Sequence, residues 1–230
     1  MKNYLHILVL VLFVMSNGCI TLHKPNGKKE RIGNLKGDLS KTTKPEDLQA
    51  YTRPFNMEDV GKEQTKFNLQ YITTEQIHEI ASKNEHTLVV VYYPCGVILD
   101  FIKEAIKLGK KAQDTAPDKF KIIAVSSIYD FDFAKALLDN QKYSKTSYLM
   151  PAEQYGNRSL SKRLKFNKLL APGIYQSHKD DIAWFYMFLF DKDKNIVFGG
   201  QSIFDPVKQE SKIKDFDKLK KILEDTYINK

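Results

Sequence analysis

"HTLVVVYYPCGVILDFIKEA", residues 86–105, decides the fold. Thr87 to Tyr93 form an unbroken β-branched and aromatic run, the composition of a strand buried on both faces. Pro94, Cys95 and Gly96 end it. Beyond them Ile98, Phe101, Ile102, Ala105, Leu108 and Ala112 recur at helical spacing, with Asp100, Lys103, Glu104, Lys107 and Lys111 on the other side. A cysteine between a strand and a helix meets the helix's first, unsatisfied N–H groups and its positive dipole end, which favour the thiolate. The stretch therefore predicts a βα unit and raises the question of whether Cys95 reacts.

The neighbouring segments extend the pattern. "KFNLQYI" (66–72) reads as a strand and Thr74 as the cap of a helix carrying Ile77, Ile80 and Ala81. "FKIIAVSS" (120–127) is a second buried strand and "FDFAKALLDNQ" (131–141) a short helix. "TSYLMP" (146–151) reads as a short strand at the sheet edge, and "SLSKRLKFNKLL" (159–170) as an amphipathic helix. "AWFYMFLF" (183–190), the turn "DKDKN" (191–195) and "IVFGG" (196–200) form a hairpin, closed by a helix over 214–227. Right-handed βαβ crossovers followed by a hairpin and a terminal helix predict an α/β domain over 65–230: a central mixed sheet with helices on both faces.

The chain has 230 residues, 42% of them hydrophobic, enough for one core plus tails. Its formal charge is +8, but 36 Lys and Arg are spread among 28 Asp and Glu. No basic stripe interleaved with aromatics tracks a phosphate backbone, so a nucleic-acid partner is not expected. Anionic lipid headgroups are the expected electrostatic neighbour.

Residues 1–18 carry Lys2, an apolar stretch from Leu5 to Met15, and the small or polar Ser16, Asn17 and Gly18. That stretch is about half of the ~20 residues a membrane-spanning helix needs, and it reads as the core of a secretory signal. With Gly18 before Cys19, the segment resembles the lipobox of bacterial lipoproteins, although Ser16 stands where Leu is commonest. The resemblance implies that Cys19 is acylated, becomes the mature N-terminus and holds the protein on a membrane of the bacterial cell envelope, with its domain facing the periplasm. An ordinary cleaved signal is the alternative. Residues 19–64 are polar and punctuated by Gly, Pro, Lys and Asn, and read as a tether.

The strand ending in "YYPCGVI", the hairpin "MFLFDKDKNIVFGG" and the closing helix resemble the membrane-anchored thioredoxin-like proteins of the bacterial envelope, of the thioredoxin and alkyl-hydroperoxide-reductase-like superfamily. The resemblance covers about residues 66–228. It implies a thioredoxin-like fold and, in active members, two cysteines two residues apart, the second resolving the mixed disulfide formed by the first. Cys95 matches the first cysteine, and Ile98 stands where the second belongs. The resemblance also implies a cis-proline near Ile182 or Ala183, yet no proline lies between Pro172 and Pro206. The motif is degenerate.

Three readings of the site follow. The domain is a binding or accessory module, taking a protein or peptide in its inherited groove and lacking dithiol activity, with Cys95 a buried relic. Alternatively, Cys95 is the candidate nucleophile of a monothiol oxidoreductase or thiol sensor that needs an external thiol. In the third reading Cys95 and His178 bind copper, by similarity to the copper-chaperone branch of the fold, although Leu99 occupies that branch's second cysteine position. No resident cofactor is expected. Asp130 with Asp132 and Asp191 with Asp193 fall where turns and helix caps are expected.

Overall fold

The computed structural model describes residues 21–23, 29–31, 45–94, 98–179, 181–205 and 210–229. The chain divides into two units, residues 1–36 and 37–230. In the first, β1 (Thr21–His23) pairs antiparallel with β2 (Lys29–Arg31).

The second unit opens with α1 (Pro45–Tyr51) and β3 (Thr52–Arg53), followed by β4 (Leu69–Tyr71), α2 (Thr74–Ser82), β5 (His86–Tyr92) and α3 (Leu99–Thr115). Next come β6 (Phe120–Ser126), α4 (Phe131–Asn140), β7 (Ser147–Leu149), α5 (Ala152–Tyr155), α6 (Ser159–Leu170) and α7 (Pro172–Ser177). A 3-10 turn at Ile182–Trp184 leads into β8 (Phe185–Asp191), β9 (Ile196–Asp205), β10 (Glu210–Ile213) and α8 (Phe216–Leu223).

The strands form one eight-stranded sheet ordered β10-β9-β8-β5-β6-β7-β4-β3. β5 lies at its centre, parallel to β6 and antiparallel to β8. Leu88, Val90 and Tyr92 point to the layer formed by α3, α4 and α8, while Val89 and Val91 point to that of α2 and α6. Residues 88–92 are fully buried, as a two-sided strand requires. The crossovers obey handedness: β5 to β6 to β7 advances one way with α3 and α4 on one face, and β4 to β5 returns with α2 on the other. A βαβ run, an antiparallel hairpin and a closing helix around the β5–α3 junction make this a thioredoxin-like domain.

Four expectations are corrected. The strand read at 146–151 is β7, which lies inside the sheet between β6 and β4 rather than at its edge. Residues 45–64, polar enough to read as tether, belong to the packed unit. β3 extends the sheet beside β4, Phe55, Met57 and Val60 pack on the core, and Gln64 N–H donates to Ser144 O at 2.7 Å. Backbone pairing and a few scattered apolar side chains anchor that segment, so no periodic signal exists. β9 runs past Gly200 to Asp205 and pairs with β10, adding a second hairpin. Residues 183 and 184, read as the start of the strand, belong instead to a 3-10 turn before β8.

Candidate functional site

Cys19, Cys95, Gly96 and Val97 lie outside the described residues. The residues flanking Cys95 are placed: Tyr93 and Pro94 are buried at the end of β5, and Ile98 is 2% exposed at the start of α3. Ile98, at the resolving-cysteine position, joins the core cluster under α3. It gives the helix no side-chain cap. Among the described residues no peptide bond is cis.

What surrounds Tyr93 comes from α6. A helix with Leu160, Leu164, Phe166, Leu169 and Leu170 is expected to bury its leucines. Instead Leu160, Leu164 and Leu169 are 50%, 39% and 43% exposed, and the inward face reads Ser159, Lys162, Arg163, Phe166, Asn167 and Leu170. Two contacts hold this orientation. Phe166 and Leu170 enter the core beside α2, and the Asn167 amide donates to Ile182 O at 2.8 Å and Phe185 O at 2.9 Å.

The orientation drives two cations into the protein at the carboxyl ends of β5 and β6. The Arg163 guanidinium lies 3.8 Å from the Tyr93 ring centre, 4.9 Å from that of Tyr186 and 6.0 Å from that of Trp184. Tyr93 and Tyr186 stack at 5.7 Å, and the Tyr186 hydroxyl donates to that of Tyr93 at 3.2 Å. Lys162 Nζ sits 4.4 Å from the Tyr129 ring centre. Ser127, whose N–H donates to Tyr92 O, brings its Oγ within 3.5 Å of Ser159 Oγ and so ties the start of α6 to the end of β6.

Neither cation has an anionic partner among the described residues. Arg163 Nε and Nη1 are sealed from solvent and meet no acceptor there. Burial pushes the Lys162 ammonium from its ordinary 10.5 down to about 8, with no opposing charge to restore it. Burial also raises the Tyr129 hydroxyl, which therefore offers Lys162 a π face and no phenolate at neutral pH.

The Lys162 shift makes stability depend on pH. Below about 8 both folded and unfolded chains hold the proton and the whole desolvation penalty acts. Between about 8 and 10.5 the unfolded chain binds more protons, so stability rises with pH. Denaturant unfolding at pH 7 and 9.5 is expected to show a gain of about 2 kcal/mol in the wild type that Lys162→Met lacks. Equal pH dependence in both proteins would mean that Lys162 is solvated.

The other sequence candidates are dispersed. His178 caps the end of α7, half-buried, with its ring 5.4 Å from that of Phe185. Among the described residues no three His, Cys, Asp or Glu side chains gather as a metal site, and Cys95 of the copper reading lies outside those residues. Asp130 caps α4 by accepting from Phe133 N–H at 2.9 Å, and Asp191 holds the β8–β9 turn by accepting from Asn195 N–H at 2.8 Å.

No family model and no curated protein matches the chain. Solved structures similar to it include the thioredoxin domain of a thiol-disulfide oxidoreductase from Bacteroides vulgatus, 14% identical, with 62% of this chain and 81% of that one covered at a TM-score of 0.35. A thiol:disulfide interchange protein from Bacteroides sp. is 15% identical over 65% of this chain and 76% of that one, at 0.39. A thioredoxin-like protein from Parabacteroides distasonis is 11% identical over 76% and 98%, at 0.33. The fold rests on strand order and direction, and chemistry must come from the residues of this chain.

Proposed function

We propose that this is a thioredoxin-like thiol protein of the bacterial cell envelope, anchored by lipid on Cys19, in which Cys95 acts as a single redox thiol. The observation that carries the reading is the pair of buried cations without anionic partners beside Tyr93. Cys95 follows Tyr93 by two residues, which chain geometry limits to about 7 Å between their Cα atoms. A thiolate there gains from the positive charge of Lys162 and Arg163, and from a helix start that no side chain caps.

In the reaction, Cys95 thiolate attacks one sulfur of a partner disulfide. The new S–S bond forms as the old one breaks, and the departing thiolate takes a proton. With Ile98 buried at the resolving position, release requires a second, external thiol that attacks the mixed disulfide and returns Cys95 to the thiolate. The domain is thus a one-thiol partner in exchange with small thiols or envelope proteins. Among the described residues no helix is long and apolar enough to cross a membrane; the proposed anchor is Cys19 alone.

The full chain with Cys19→Ser, leaving one thiol, tests the reading. Exposure to a small oxidised disulfide is expected to add one half-disulfide to Cys95, removable by excess external thiol. The same chain carrying Cys95→Ser gains nothing. A Cys95 that stays unmodified in the folded protein and reacts after unfolding supports the binding-module reading instead. The anchor is tested separately: Cys19→Ala is expected to move the protein from the detergent phase to the aqueous phase, and an unchanged partition would contradict lipidation.

A further inference from the structure

An unpaired charge inside a protein costs several kcal/mol, and a cation–π contact returns about 2 kcal/mol at most. Lys162 and Arg163 are 1% and 2% exposed, adjacent in sequence, and without a carboxylate among the described residues, while three leucines of the same helix face solvent. Simple burial would have turned α6 the other way. Four aromatic rings, those of Tyr93, Tyr129, Tyr186 and Trp184, hold the cations in place without neutralising them. Trp184 is the outermost, 42% exposed and 6.0 Å from the guanidinium.

We propose that Lys162 and Arg163 form a binding site for a small carboxylate, entered past Trp184. The singly charged carboxylate accepts from Nε or Nη1 of Arg163, neither of which meets an acceptor among the described residues, and Lys162 supplies the second positive charge. The rings exclude water and strengthen each of these bonds. The site uses the same two cations as the redox reading, but its test carries Cys95→Ser, so its outcome is separate from that of the Cys95 chemistry. Free small carboxylates and a peptide's C-terminal carboxylate share the required chemistry.

Trp184 is the chain's one tryptophan and reports on the site directly. The test is a titration of the full chain carrying Cys95→Ser, in chloride buffer at pH 7, with acetate, a tripeptide bearing a free C-terminus, and the same tripeptide amidated. A saturable change in Trp184 fluorescence is expected, with the thermal midpoint rising by about 5–10 °C at a hundredfold excess over Kd. A response to acetate assigns a free carboxylate. A response to the free tripeptide but not to its amide or to acetate assigns a peptide terminus. Arg163→Met and, separately, Lys162→Met are expected to weaken binding at least tenfold. Either no response to any carboxylate or one matched by sodium chloride at equal ionic strength overturns the proposal, as does full binding by both variants.

Discussion

Arg163→Met is expected to make the protein more stable, by about 3 kcal/mol in chloride buffer at pH 7, or a midpoint some 6–12 °C higher. The guanidinium is 2% exposed, with Nε and Nη1 lacking an acceptor among the described residues. Among the described residues its desolvation is offset only by the rings of Tyr93, Tyr186 and Trp184. Met keeps an unbranched chain of similar reach against those rings and carries no charge into the interior. Thermal melts of the two proteins decide the matter. A lower midpoint for the variant would mean that Arg163 is paired in solution and serves the fold.

Asn167→Ala should act in the opposite direction, at about 4 kcal/mol. Its amide donates to Ile182 O and Phe185 O from a site with no solvent exposure, and the substitution leaves both carbonyls buried and unpaired at about 1–3 kcal/mol each, besides opening a small void. Because those bonds fix α6 against the turn that enters β8, the same variant should also disturb Trp184, whose fluorescence shifts toward that of a solvated indole. Urea unfolding gives the stability and an emission spectrum gives the second effect. A cost below 1 kcal/mol with an unmoved spectrum would show that Phe166 and Leu170 seat the helix alone.

These opposite signs explain what the sequence could and could not convey. β5, α3 and β6 were legible because their apolar residues repeat at strand or helix spacing and face a core that covers them. The thioredoxin-like class followed from that order of elements. α6 is legible as an amphipathic helix over residues 159–170, but its buried face is not, since hydrophobicity argues for the leucines inward and Leu160, Leu164 and Leu169 are exposed. The stripe Ser159, Lys162, Arg163, Phe166, Asn167 and Leu170 has helical spacing and only two apolar members. Two side-by-side cations on that stripe were the available signal, and a charge pair on a helix ordinarily means solvent. β3 and β10 escaped notice for a different reason: their placement depends on pairing with distant strands, which local composition does not encode.

Residue 98 shows how the fold limits the chemistry. Ile98 is core, packed beneath α3, so a second cysteine is missing from a position that this protein uses for packing. What remains at the β5–α3 junction is one thiol and a concentration of positive charge built from α6. On the reading proposed above, this charge acts on the thiol. Its direct test is the pH dependence of Cys95 alkylation in the full chain with Cys19→Ser, with and without Arg163→Met. A midpoint well below the ~8.5 of free cysteine is expected, moving upward by about one unit or more when Arg163 is replaced. A midpoint at or above ~8.5 in both proteins would contradict it.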